Sequence, residues 1–341
     1  MTSRRPHQTA PATLIEVARR AGVSASTVSR ILNGSARVSP DKRATVERAI
    51  AELDFRPNAL AQSLKRGRSM TVGVLTPAVD SPLLNETLRG VDCALSDQAY
   101  IPLIVSGHWN AEDESRRIEL LIAQRVDGIV ALSSALSHAQ LVALARRVPL
   151  VAIGRDFQSA GALTVAVDNR LGSYLATRHL IGLGHSRIVH IQGAPGRTSA
   201  LERLAGYRQA LDEAGIAVDP ALQVQGDWYE SGGEAAMQDL LARGVEFTAV
   251  FAANDQMAAG ARLALFRAGL AVPQQVSLVG FDAIPSSAYM TPPLTTVSVH
   301  MFDVGRQATA LLLRHIAGDA QPAAALPPEL IVRESTAPRH G

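Results

Sequence analysis

Between residues 13 and 30 the stretch TLIEVARRAGVSASTVSR brings Ser24, Ser26, Thr27 and Ser29 up against Arg30. Small hydroxyls and backbone N–H groups at a helix start suit phosphate oxygens, and an arginine fork reaches either a phosphate or a base edge. A second group is scattered along the chain. Asn254 directly follows the apolar run Phe251-Ala252-Ala253, Asp282 follows Gly280-Phe281, and Arg203 lies near the start of the helical segment after Ile191-Gln192-Gly193. A planar cationic fork, an amide and a carboxylate can hold adjacent hydroxyls, and Trp228 can offer a stacking face. Asp80, after the first apolar run, is a further candidate. Each residue also has a plainer reading. Ser24 and Thr27 can cap a surface helix, as can Asn254 or Asp255, Arg203 can be a surface arginine, and Trp228 can belong to a core.

Catalytic chemistry has no comparable foothold. No G-x-S-x-G, P-loop or H-E-x-x-H string occurs, and His179, His185 and His190 lack metal-ligand spacing. Cys93 is the single cysteine, which excludes an intramolecular disulfide and a thiolate zinc site. The expectation is a protein that is not an enzyme, with no catalytic residue, metal or cofactor.

The elements that must position these residues differ in texture and charge. Residues 1–68 carry 13 Lys and Arg against 5 Asp and Glu, a net +8, and the other 273 residues carry a net −6. A basic module on an acidic body is an electrostatic footprint for a polyanion. No apolar run is long enough to span a bilayer, and the opening MTSRRPHQTAPAT has arginines with no apolar stretch behind them. The expected location is the cytoplasm, without membrane contact.

Within the basic module, Thr13-Leu14-Ile15-Glu16 has the form of a capping box, with Ile15, Val17, Ala18 and Ala21 available for a buried face before Gly22. Ser24 can cap a second helix over 25–32, with Val28, Ile31 and Leu32 inward and Ala25, Ser26, Ser29 and Arg30 outward. Ser39-Pro40-Asp41 signals a third helix, continued over 45–53 by Val46, Ala49, Ile50 and Leu53. Two helices joined by a tight turn and closed by a third make a helix-turn-helix. Residues 58–68 follow a proline and read as a helix too short to be stable alone in water. From residue 70, strand-length apolar runs (71–75, 101–105, 128–132, 150–153, 187–191, 249–251, 276–280) alternate with amphipathic segments of helix length. That pattern predicts parallel sheets covered on both faces, in two Rossmann-like sets.

The N-terminal string, from Thr13-Leu14 through Val17-Ala18, Ala21-Gly22-Val23-Ser24, Thr27-Val28-Ser29-Arg30 and Leu32-Asn33 to Arg56-Pro57-Asn58, resembles the DNA-binding head of the LacI/GalR family of bacterial transcription regulators. Val126-Asp127-Gly128-Ile129, Gly182-Leu183-Gly184-His185, Asn254-Asp255-Gln256-Met257-Ala258 and Val279-Gly280-Phe281-Asp282 extend the likeness to about residue 335. The resemblance implies a head over 12–57, a hinge helix and linker over 58–69, and a core over 70–341 of the periplasmic-binding-protein type I fold. One core subdomain would take about 70–168 plus 300–318, the other about 169–299 plus 319–341. It further implies that Ala25, Ser26 and Arg30 read bases, with Thr13, Ser24, Thr27, Ser29 and Asn33 near phosphates. In the hinge, Asn58 begins the segment, Ala61 packs closely, Leu64 wedges into the minor groove, and Lys65 contacts phosphate. Arg203, Trp228, Asn254, Asp282 and Asp80 are the implied effector contacts. Gly154 stands where many sugar-responsive members carry an acid, which weakens transfer of a particular sugar. The protein is thus expected to be a homodimeric repressor that binds a pseudo-palindromic duplex operator and is controlled by a sugar or sugar derivative.

Overall fold

Thr13 opens α1 (Leu14–Ala21) with a reciprocal cap: its Oγ1 accepts the Glu16 N–H at 3.3 Å, and a Glu16 carboxylate oxygen accepts the Thr13 N–H at 2.7 Å. Gly22, at φ 64°, closes the helix in the left-handed conformation that glycine adopts without a Cβ penalty. Ser24 then caps α2 (Ala25–Leu32), accepting the Thr27 N–H at 3.2 Å, and Pro40 begins α3 (Pro40–Glu52). Val17, Ala18, Ala21, Val28, Ile31, Val46, Ala49 and Phe55 form the core of this head. Ile15 departs from expectation, standing 71% exposed. It lies about 100° around the helix from Leu14, and Leu14 takes the i, i+3, i+4, i+7 stripe with Val17, Ala18 and Ala21.

The computed structural model describes residues 12–32, 38–55, 67–154, 163–319 and 326–339. The chain divides into two compact units, Met1–Ser69 and Met70–Gly341.

In the larger unit the first sheet contains β1 (Thr71–Thr76), β2 (Ile101–Ser106), β3 (Gly128–Leu132), β4 (Leu150–Ile153) and β5 (Leu163–Val165), all parallel in the order β2-β1-β3-β4-β5. Its connecting helices are α4 (Pro82–Ser96), α5 (Ala111–Ala123) and α6 (His138–Ala145). Chain order continues through α7 (Asn169–Gly182), β6 (Ile188–Gln192), α8 (Thr198–Glu213), β7 (Gln223–Gln225), α9 (Glu230–Ala242), β8 (Ala249–Ala252), α10 (Asp255–Arg267) and β9 (Ser277–Val279). These strands make the second parallel sheet, ordered β7-β6-β8-β9. A small antiparallel pair, β10 (Thr296–Ser298) with β11 (Glu329–Ile331), makes a third, two-stranded sheet. Every residue of β3, β4 and β8 is buried, which is why they read as unbroken apolar runs.

The helix α11 (Met301–Ile316) returns to the first lobe, packing on α4 and against β3, β4 and β5. Close approach is what Gly90 and Gly305 permit there. A Cβ at Gly90 would fall 1.9 Å from the Phe302 carbonyl oxygen, and one at Gly305 2.2 Å from that of Thr87. The strands β5, β7, β10 and β11 were not foreseen. Each has three residues, too few to show a period of two.

Candidate functional site

Parallel strands point their carboxyl ends the same way, and here both sheets open onto one cleft. Ala78 follows β1, Ser133 follows β3 and Gly154 follows β4, facing Ala194 after β6, Asn254 after β8 and Asp282 after β9 across a cavity of about 260 Å³. This is the position where open α/β sheets bind ligands.

Arg203, on α8, is the hub of the second-lobe wall. It is 4% exposed, and its guanidinium donates to Asp282 Oδ1 at 3.0 Å, to Asn169 Oδ1 at 2.9 Å and to the Ala253 carbonyl oxygen. Its Cζ lies 3.7 Å from the Phe281 ring centroid and 5.4 Å from that of Trp228. Burial pushes the Asp282 carboxyl up to about 6 and pulls the Arg203 guanidinium down, and their ion pair works against both shifts. Asp282 and Trp228 hold positive φ angles of 103° and 81°, costly for side-chain-bearing residues. Backbone bonding fixes Asp282 in place, since its N–H donates to the Val297 carbonyl at 2.8 Å.

Asn254 both caps a helix and lines the cleft. It caps α10, its Oδ1 accepting the Met257 N–H at 2.9 Å, while its Nδ2 donates to the Trp228 carbonyl at 2.9 Å and so ties that residue to the cleft wall. The Trp228 indole in turn packs on Gly193, where a Cβ would lie 2.1 Å from the ring. Asp255 is structural: it is 1% exposed, with its carboxylate accepting the Ile284 N–H at 2.9 Å and the Thr296 hydroxyl at 2.5 Å. Burial, reinforced by the nearby Asp282 charge, raises its carboxyl to about 8.

Of the five expected cleft residues, Arg203, Trp228, Asn254 and Asp282 line the cavity together; Asp80 is exposed and is not among the lining residues, although Ala78 and Ser81 beside it are. Three participants were missed. Asn169 positions Arg203 and also donates to Glu202 at 2.9 Å. Its signal was faint, an Asp168-Asn169 pair at a helix start. Trp109, after β2, and Arg197, before α8, both line the cavity and meet across it, with the guanidinium carbon 4.5 Å from the indole centroid. Only the fold brings these two together.

In the head, Ser24, Ser26 and Arg30 are exposed, while Ala25 is half-buried against the head core. Ser24 Oγ lies 2.9 Å from Ser26 Oγ and 2.8 Å from Thr27 Oγ1, and Arg30 Nε donates to the Ser26 carbonyl at 3.3 Å. Hydroxyls at the start of α2 and a cation in its last turn therefore share its outer face. Thr13 is exposed at the start of α1, and Ser29 is half-buried. Asn33, Asn58, Ala61, Leu64 and Lys65 lie outside the described residues. Among the described residues no cluster of three or more His, Cys, Asp or Glu could hold a metal ion, and no helix is long and apolar enough to cross a membrane.

Fold and site together define a helix-turn-helix protein with a two-lobed binding core. Residues 13–58 match the bacterial regulatory proteins of the lacI family, and residues 177–336 match the periplasmic binding protein-like domain. The chain is 39% identical over 303 residues to the transcriptional regulator GalR of Escherichia coli K12, covering 89% of this chain and 88% of the relative. It is 38% identical over 308 residues to the ribose operon repressor of the same strain, covering 89% and 93%. The lac repressor dimer bound to operator and the anti-inducer ONPF superposes with a TM-score of 0.87 at 30% identity, covering 96% of this chain and 100% of that one. The protein belongs to the lacI family of bacterial regulatory proteins. Its class is accordingly that of DNA-binding transcriptional regulators, not enzymes.

Proposed function

We propose that the protein is a cytoplasmic repressor that binds a pseudo-palindromic operator as a homodimer and is controlled by a sugar or sugar derivative held between the core lobes. The observation that carries this reading is the buried Arg203–Asp282 pair at the strand ends of a two-lobed cleft, on the same chain as a basic three-helix head. The ribose operon repressor and a lacI-family regulator from Enterococcus faecium with bound ribose support a sugar as effector. The lac repressor dimer on its operator supports the paired heads. Residues 12–57 form the reader, 58–69 the hinge and 70–341 the clamp. Arg203, Asp282 and Asn254 hold ligand hydroxyls, and Trp228 stacks on the ring. Ser24, Thr27, Ser29, Thr13 and Asn33 contact phosphates, and Ala25, Ser26 and Arg30 face bases. Asn58, Ala61, Leu64 and Lys65 act in the hinge, with Leu64 as the minor-groove wedge.

The ligand shifts DNA affinity only through its unequal affinity for the two core states, and a tenfold effect on operator binding takes about 1.4 kcal/mol of that difference. A melting-temperature screen against pentoses, hexoses and their derivatives tests the cleft; a ligand at 100 times its Kd adds about 2.7 kcal/mol. Duplexes selected from a random library test the head, and their affinity falls steeply with salt if several phosphates are contacted. A dimer that enriches no duplex, with or without sugars, overturns the reading.

A further inference from the structure

Charge around the cleft is unevenly settled. The described lining residues include four charged side chains, Arg197, Arg203, Asp227 and Asp282. Arg203 and Asp282 neutralise one another at 3.0 Å. Asp227 is exposed to solvent, and its Oδ1 accepts the Tyr229 N–H at 2.8 Å. Arg197 differs from all three. It is half-buried, and among the described residues no carboxylate lies within ion-pair distance of it. Its contact is the Trp109 ring, 4.5 Å from the guanidinium carbon to the centroid. A ring over the face of a guanidinium offsets part of its desolvation and leaves the in-plane N–H donors for another partner.

Among the described residues the opposite wall does not supply that partner. At the strand ends of the first lobe the described lining residues are Ala78, Ser133 and Gly154, none of them charged. Beside Arg197 the wall continues with the hydroxyl residues Thr198 and Ser199. We propose that Arg197 makes the cleft selective for a ligand bearing an anionic group, a carboxylate or phosphate ester on a body the size of one sugar ring, which docks against the Arg197 fork while Arg203, Asp282 and Asn254 hold its hydroxyls. A cation with donors in a plane matches the oxygens of either anion bidentately, and a neutral hydroxyl takes only part of that geometry. This rests on the cleft being the effector site.

Titration calorimetry on the full-length protein tests it with matched sets: glucose, galactose and ribose; gluconate and galacturonate; glucose 6-phosphate and ribose 5-phosphate. At least one anionic member should bind about tenfold or more tightly than its neutral parent, the carboxylate and phosphate arms separating the two sources. Arg197→Gln should lower that member's affinity by about tenfold or more and leave the neutral parent within about threefold, and Arg197→Lys, which keeps the charge without the planar fork, should fall between the two. Neutral sugars that bind as well as their acids and esters, or an equal loss of both in Arg197→Gln, overturn the anion selectivity and leave the effector cleft standing. Binding by none of the compounds overturns the cleft reading and this inference with it.

Discussion

The head and the cleft are built on opposite plans. The outward residues of α2 and its cap lie within seven positions of one another, between Ser24 and Arg30. The cleft draws Trp109, Trp228, Asn254 and Asp282 from the segments after four different strands, and Asn169 and Arg203 from two helices. A local site depends on caps and helical period, so it tolerates distant change. A dispersed site depends on the strands ending level with one another, and its key charges are buried and mutually dependent.

That difference predicts where single substitutions will hurt most. Arg203→Ala should be the most damaging, because it leaves Asp282 buried without its cation and removes donors to Asn169 and the Ala253 carbonyl. Breaking a buried pair from one side costs about 3–5 kcal/mol. Both tryptophans, Trp109 and Trp228, lie in the core, so tryptophan-monitored melting follows the core and should fall sharply. An unchanged midpoint would mean that the cleft is not the strained, interdependent site described above. Asp255→Asn should act next, through pH. The folded carboxyl sits at about 8 against an ordinary 3.8, so the folded state holds a proton that the unfolded state releases between those values. Stability is therefore lost as pH rises through that window and stops falling above about pH 8. Asparagine can keep both contacts, with its oxygen to the Ile284 N–H and its amide to Thr296, so the variant should melt with a shallower decline from acid to alkaline pH. Parallel declines would show that Asp255 carries no excess proton.

The same contrast explains what the sequence revealed. The head helices were legible almost to the residue because Thr13, Gly22, Ser24 and Pro40 punctuate them locally. Ile15 was misplaced because two registers of the apolar stripe were open, and only packing against α2 and α3 chooses between them. In the core, the buried apolar strands were legible, β9 among them with only three residues, whereas the short strands β5, β7, β10 and β11 were not. Arg203, Trp228, Asn254 and Asp282 were found from strand ends and from family likeness. Arg197 and Trp109 were not, since their meeting depends on two lobes facing each other, 88 positions apart in the chain. Asp80 was expected in the cleft from its place after β1, but Ala78 and Ser81 line the cavity there and Asp80 is exposed.

Arg30→Ala probes the local plan directly. Arg30 is exposed on α2, so the substitution should leave the core melting curve unchanged while weakening a selected duplex by about 1–3 kcal/mol, the size of a lost base contact. Loss of a phosphate contact instead would weaken all duplexes equally and flatten the salt slope. Comparison of a selected and a scrambled duplex distinguishes the two, and no change in either would remove Arg30 from the interface.

The smallest expected effect lies in the cap of the first helix. Thr13 and Glu16 satisfy each other's backbone N–H groups on an exposed turn, at 3.3 and 2.7 Å, and the Thr13 hydroxyl also donates to the Glu16 carboxylate at 2.9 Å. Those bonds hold the Glu16 carboxyl below its ordinary range, the bond from the Thr13 backbone contributing most. Thr13→Ala removes the hydroxyl and with it one half of the reciprocal cap, at a cost of about 1 kcal/mol. Because the head core is small, that cost should appear as faster amide exchange at Val17 and Ala18, whose side chains are buried in it, with no movement of the tryptophan-monitored transition. If Thr13 also touches phosphate, Thr13→Ser, which keeps the hydroxyl and so the cap, should retain duplex affinity while Thr13→Ala loses it. A core transition that shifts with either variant would contradict the independence of the two plans.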